Sequence, residues 1–204
     1  MDLTKIRTGC TSSLNAALEY AKHGLRVVPT YRVSRLGQCG CGNAQCPDAG
    51  AHGHRKHLDV GGYLEPEDIK RAWKPKSRSG VGLITGSQNH LIAIGVKSPG
   101  GMKSLSDLMR KHGALPWTVQ CATYDRRYIL LEYGSCIATT AQYIPGIDIL
   151  GDGACVPVPP SRPDGSVLRW VTYHTPGAVY VASATGAWET IFKLLPLGPG
   201  GLSK

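Results

Sequence analysis

Residues 146–161 read GIDILGDGACVPVPPS, in which two short apolar runs flank a Gly-Asp-Gly turn and end at a Pro-Pro-Ser element. Short runs of β-branched residues bounded by glycine and proline are typical of β-strands. Similar runs lie on both sides of this stretch, namely TVQCATY, RYILLEY, LRWVTY and AVYVAS. The chain from residue 115 onward is therefore predicted to be rich in strands.

The rest of the chain mixes helices with strands. Apolar residues at helical spacing predict helices over residues 14–21, 104–112 and about 187–195, and Pro66 begins another helix that runs to about Trp73. Strands are predicted in LRVVPTY, VGLITG and HLIAIGV, the last two as a hairpin or a strand–turn–strand unit. This order predicts an α+β fold with a mostly antiparallel sheet flanked by helices. Residues 1–204 are expected to form a single domain.

A loop insertion at about residues 34–62 has no hydrophobic periodicity and is rich in glycine, cysteine and histidine. Three cysteines and one histidine lie within fourteen residues, which suits a tetrahedral zinc site with Cys39, Cys41, Cys46 and His52 as ligands. His54 and His57 are alternatives for the fourth ligand. Because all four ligands would come from the protein, the predicted zinc is structural and not catalytic.

The composition favours a polyanionic partner. The 204 residues carry 23 Lys and Arg against 14 Asp and Glu, a net charge of +9, and such an excess is typical of proteins that bind nucleic acid. The first candidates for phosphate contacts are the basic residues around the predicted zinc loop, Arg32, Arg35, Arg55 and Lys56. No apolar run approaches the roughly 20 residues needed to cross a bilayer, and the start of the chain has no secretory pattern. We expect a cytoplasmic protein with no membrane partner.

Two other chemistries find no support in the motifs. Residues 100–104, GGMKS, lack the glycine spacing of a phosphate-binding P-loop. Cys121, Cys136 and Cys155 lie in or beside apolar runs, where a thiol is expected to be buried and inert.

Several segments, in order, resemble the prim-pol domain at the N-terminus of bifunctional DNA primase/polymerases, a branch of the archaeo-eukaryotic primase superfamily. The resemblance covers about residues 12–173, and its most specific part is the stretch 146–161. The other matching segments are residues 16–21 with Gly24, Val28-Pro29, the loop 39–52, residues 81–86, and residues 91–96 followed by Gly100-Gly101 and Ser104-Leu105.

The resemblance implies an RRM-like catalytic sheet with a small zinc-binding loop, and a two-metal nucleotidyl transfer that builds primers on a DNA template. Such transfer needs carboxylates that hold two divalent ions. The family's pair of acids is replaced here by Gly95 and Lys97. The family's second motif has a histidine in a Gly-Gly-x-His-x-Tyr pattern, and its match to residues 124–129 places Arg127 at the position of this histidine. Asp148 is the one family acid that remains, so bound magnesium or manganese is not expected.

The same resemblance suggests how phosphate would be bound without metal. Lys97 and Arg127 are expected to face one cleft, with Lys97 pointing toward Asp148, and to contact a triphosphate or a DNA phosphate. Ser161 and Arg162 follow the Pro-Pro-Ser element and are further candidates for phosphate contacts, although the histidine that often follows in the family is missing.

Three functions remain open from the sequence. The first is a prim-pol-like DNA replication protein of a plasmid or phage type that binds nucleotide or nucleic acid but has impaired or lost nucleotidyl transfer, that is, a pseudoenzyme. The second is an active DNA primase/polymerase in which Asp148 works with Asp125, Asp152 or a partner's acid. The third is a non-catalytic interaction subunit of a plasmid or phage replication system. DNA and a nucleoside triphosphate are the expected partners, and a replicative helicase would be a separate chain.

Overall fold

A computed structural model of the chain describes Leu3 and residues 12–74, 78–134, 137–171 and 182–183. Its helices and strands are α1 (Ser13–Lys22), β1 (Val27–Thr30), α2 (Arg55–Leu58), α3 (Pro66–Trp73), β2 (Gly80–Ile84), β3 (Leu91–Lys97), α4 (Gly100–His112), β4 (Gln120–Ala122), β5 (Arg126–Glu132), β6 (Thr140–Ile144), β7 (Ile147–Leu150), β8 (Cys155–Val158), a 3-10 turn (Pro163–Gly165), β9 (Arg169–Trp170) and β10 (Ala182–Ser183). The helix predicted at 187–195 lies outside the described residues.

The strands form two sheets. The larger has the order β6-β7-β3-β5-β4-β9, with antiparallel neighbours throughout, and β10 adds to β5 as a parallel strand. The smaller has the order β1-β2-β8 and is antiparallel as well. The predicted α+β class with mostly antiparallel sheets flanked by helices is confirmed. β2 and β3 lie in different sheets, and an isolated bridge from Gly86 to Leu91 closes the turn between them, so this pair is a strand–turn–strand unit and not a hairpin.

Alternation along β3 gives the large sheet two different faces, because successive side chains of a strand point to opposite sides. Ile92, Ile94 and Val96 pack under α4 in one apolar cluster with Leu105. Leu91 and Ala93 belong to the other cluster, which includes residues of the small sheet, α1 and α3. The large sheet is therefore covered on one face by α4 and on the other by the small sheet.

The helices follow their local signals with one exception. Ser12 caps α1 by accepting a hydrogen bond from the backbone N–H of Asn15 at 3.2 Å, and α3 begins at Pro66 as predicted. Helix α4 begins at Gly100, one turn before the predicted start at Ser104. The Ser104 hydroxyl does not cap the helix and instead donates to the carbonyl of Pro145 at 2.7 Å. None of the helices in the described part of the chain has the length and hydrophobicity of a membrane-spanning helix.

Candidate functional site

The predicted Cys/His cluster is present. The ligand atoms of Cys39, Cys41, Cys46 and His52 all lie within 4.8 Å of one another. His52 Nε2 is 3.4 Å from the Cys39 sulfur and 3.3 Å from the Cys46 sulfur. Tetrahedral zinc with bonds of about 2.3 Å to sulfur and 2.0–2.1 Å to nitrogen requires such atoms to be about 3.5 Å apart. The donor set and its spacing therefore fit one zinc ion.

Backbone hydrogen bonds next to β1 hold the ligands together. The N–H of Tyr31 donates to the carbonyl of His52 at 3.0 Å, and the N–H of Gly40 donates to the carbonyl of Arg32 at 2.9 Å. The two alternative histidines are engaged elsewhere. The His54 ring lies 3.7 Å from the Tyr31 ring, centroid to centroid, and His57 Nδ1 lies 2.6 Å from the Tyr63 hydroxyl. His52 is thus the histidine that completes the cluster.

A second polar group, which we call the acidic centre, lies where β3 and β7 pair. Gly95 faces Asp148 across the two strands, and Lys97 lies two residues further along β3 on the same face. The Lys97 ammonium is 2.9 Å from Asp148 Oδ2 and 2.9 Å from Asp48 Oδ1. Its contact with Asp148 is the one expected from the resemblance. Asp48, which comes from the zinc loop, was not predicted.

Arg126 completes the acidic centre. Its guanidinium pairs with Asp164 of the 3-10 turn, bonds to Asp48 at 2.9 Å and donates to the carbonyl of Pro47 at 2.9 Å. The acidic centre thus contains three carboxylates and two cations, all from different segments of the chain. Its two cations join the zinc loop to β3, to β5 and to the 3-10 turn.

The expectation that Arg127 faces this cleft is wrong. Lys97 pairs with Arg126 across β3 and β5, whereas Arg127 pairs with Val96. Arg127 therefore lies on the opposite face, where it donates to the Gln120 side chain at 3.1 Å. The family pattern Gly-Gly-x-His-x-Tyr leads to the same position if Tyr128 is its tyrosine, since the histidine then falls on Arg126. This spacing was the signal that the sequence prediction missed by one residue.

The acidic centre opens into a cavity of about 190 Å³ that Asp48, Asp148, Lys97 and Arg126 line. His52 lines it too, so the Cys/His cluster and the acidic centre adjoin. Desolvation by burial lowers the pKa of Lys97, but hydrogen bonds to Asp148 and Asp48 outweigh it and leave the pKa above its ordinary value. Burial raises the pKa of Asp48, and the hydrogen bonds from Lys97 and Arg126 bring it below its usual range. Lys97 and Asp48 are therefore ionised together.

The other predicted acids do not reach this cavity. Asp152 bonds to the Tyr133 hydroxyl at 3.2 Å and to the Ile137 N–H at 3.1 Å, which makes it part of the loop structure after β5. Asp125 is exposed in the turn before β5. Neither residue lines the cavity of Asp148. Among the described residues, neither acid is therefore placed beside Asp148 at this cavity.

The two predicted phosphate contacts after β8, Ser161 and Arg162, differ in exposure. Ser161 is buried, and its hydroxyl accepts from the Val81 N–H at 2.7 Å and donates to the Val81 carbonyl at 2.8 Å. This hydroxyl holds the turn after β8 against β2, so the structure gives it no free proton to donate to phosphate. Arg162 is exposed and lines a different, larger groove together with Arg32 and Arg35. Arg55 lies on α2, where it pairs with Asp59 at 3.0 Å, next to the exposed Lys56.

Comparison with known proteins identifies the family of this chain. No curated protein matches the chain. The family model described as "Bifunctional DNA primase/polymerase, N-terminal" matches residues 17–184. This range includes the Cys/His cluster, both sheets and every residue of the acidic centre. The chain therefore belongs to the Prim-Pol family, the N-terminal domain family of bifunctional DNA primase/polymerases.

Proposed function

We propose that this chain is a primase/polymerase-like DNA replication protein that binds nucleic acid or nucleotide and has impaired or lost nucleotidyl transfer. Family membership supports the role in replication. The single observation that carries the loss of transfer is the position of the Lys97 ammonium, 2.9 Å from a carboxylate oxygen of Asp48 and 2.9 Å from one of Asp148. In this proposal zinc is bound structurally by the Cys/His cluster, and a helicase acts as a separate chain.

The chemistry of the acidic centre supports this proposal. Two-metal transfer requires carboxylates that hold two divalent ions close to the reacting phosphate. Here Gly95 offers no side chain, and Lys97 brings a positive charge to the place where two carboxylates meet. At 2.9 Å and an effective dielectric constant of 20, each Lys97–carboxylate attraction is about 6 kcal/mol before desolvation. Magnesium or manganese would have to displace this ammonium, so the residues present do not fit a divalent ion.

Restoring the missing acids tests the inactivation directly. A side chain can be added at Gly95, since a Cβ there would meet Asp148 and Tyr128 no closer than 3.6 Å. We expect the wild type to bind no manganese in a calorimetric titration and to make no primer on single-stranded DNA with manganese and nucleoside triphosphates. The double variant Gly95→Asp, Lys97→Asp is expected to bind manganese. The proposal would be refuted if the wild type made primers and the substitution Asp148→Asn abolished this activity.

A second candidate function is active transfer by an unusual pair of acids. The specific observation in its favour is that Asp48 and Asp148 approach the same ammonium, so the two carboxylates would face each other if Lys97 moved away. In that case Asp48→Asn and Asp148→Asn should each abolish primer synthesis, and Arg127→Met, on the other face of the sheet, should leave it unchanged. The remaining alternative, an interaction subunit without nucleic-acid contact, predicts no DNA binding even at low salt.

A further inference from the structure

We propose that a groove lined by five arginines, separate from the acidic centre, binds the phosphate backbone of a single nucleic-acid strand. We call it the arginine groove and define it by Arg32, Arg35, Arg78, Arg162 and Arg169. It has a volume of about 850 Å³, against about 190 Å³ for the cavity of the acidic centre. This inference rests on the nucleic-acid binding in the proposed function and specifies which residues carry it.

The charge of the arginine groove is not neutralised within the described part of the chain. All five arginines are exposed, and no Asp or Glu lines the groove. Other surface arginines behave differently, because Arg55, Arg71 and Arg110 each pair with an aspartate three or four residues away in the chain. Among the described residues, the groove arginines have no such ion pair. Five unpaired guanidinium groups around one groove give it a positive potential that attracts an anionic ligand.

The chemistry of the lining selects phosphate. A guanidinium group presents a planar fork of N–H donors that binds phosphate oxygens in pairs. Serine hydroxyls stand between the arginines. The Ser34 oxygen accepts from the N–H groups of Leu36 and Gln38, at 3.2 and 3.1 Å, and so keeps its own proton free to donate. Ser79 also lines the groove. Arginine and serine together are a typical set of contacts to the nucleic-acid backbone.

The arrangement favours a strand over a single nucleotide. The arginines come from three separate stretches, namely the segment after β1, the two residues before β2, and the chain from the end of β8 to the start of β9. Five guanidinium groups can contact more phosphates than the three of one nucleoside triphosphate. Among the described residues of the lining, the one aromatic residue is Tyr31, whose ring already lies against His54. This part of the groove therefore offers bases no free aromatic surface on which to stack, and the contacts fall on the backbone.

The experiment measures the affinity for a fluorescently labelled oligo(dT) strand by anisotropy between 50 and 200 mM salt. Five phosphate contacts to a single strand predict a slope of about −3.5 in log affinity against log salt, or a loss of roughly 100-fold over this range. The groove variant Arg35→Ala, Arg78→Ala, Arg169→Ala leaves two contacts and should reduce the slope to about −1.4. The control variant Lys103→Ala, Arg110→Ala, Lys111→Ala removes three charges from α4, which covers the other face of the large sheet.

The outcomes separate this inference from the proposed function. The arginine groove is supported if the groove variant binds oligo(dT) more weakly and with a flatter salt dependence, and the control variant does not. Equal losses in both variants would mean that overall charge, and not the groove, attracts the strand. If the wild type binds oligo(dT) and the groove variant binds as tightly, the groove inference fails and the proposed function stands. A wild type that binds no strand at 50 mM salt would remove the nucleic-acid part of the proposed function together with this inference. Tighter binding to duplex DNA, or loss of triphosphate binding alone in the groove variant, would also overturn it.

Discussion

Replacement of Arg126 by methionine should strongly destabilise the protein. The Arg126 side chain is 9% exposed and bonds to two carboxylates and one backbone carbonyl. Its removal leaves Asp164 without its partner and leaves the Pro47 carbonyl unsatisfied. Breaking a buried ion pair by removing one partner costs about 3–5 kcal/mol. For a chain of this size each kcal/mol corresponds to about 2–4 °C in Tm, so the melting temperature should fall by roughly 6–20 °C.

The neighbouring residue provides a matched control for this experiment. Arg127→Met removes the same side chain from the other face of β5, where its bond is to Gln120 at 3.1 Å. A hydrogen bond to a neutral side chain contributes about 1 kcal/mol to the free energy of unfolding. Calorimetric melting of both variants compares them, and the double variant with Asp164→Asn should show a non-additive effect. If Arg126→Met melted within about 3 °C of Arg127→Met, the acidic centre would not be what joins the zinc loop to the sheet.

Metal analysis should find one zinc per chain. Removal of the zinc by a chelator should make the segment at about 34–62 sensitive to proteolysis, because this loop has no apolar core of its own. Gly101→Ala should lower stability by about 1–3 kcal/mol because the new Cβ would overlap a carbonyl in the turn between β6 and β7, whereas Gly100→Ala, with open space around it, should be neutral in the same urea titration. The pKa of Lys97 is raised above its ordinary value of 10.5 in the folded protein. The contribution of the Lys97 charge to the stability of the fold is therefore complete below pH 10.5 and is lost as the pH rises through the folded-state pKa. The wild type should therefore lose stability faster than Lys97→Met above about pH 10.5, and equal slopes would refute this contribution.

The local features of this chain could be predicted from the sequence. The helix after Ser12, the helix from Pro66 and the strands on both sides of residue 115 follow from spacing, capping and turn residues within short windows. The Cys/His cluster was predictable for the same reason, since its four ligands lie within fourteen residues and depend on turns inside one loop. Asp148 was identified from the stretch 146–161, which forms two strands that are consecutive in the chain, β7 and β8.

The tertiary structure alone decided what surrounds Asp148. Asp48, Arg126 and Asp164 come from a loop, a strand and a turn that are 38 or more residues apart, and no local pattern relates them. The choice between Arg126 and Arg127 depends on strand register, and a shift of one residue moves a side chain to the other face of the sheet. The arginine groove likewise forms only because β1, β2 and β8 pair in one small sheet. Short-range spacing determines elements and compact metal loops, whereas a site built from distant segments is determined by the packing and register of the sheets.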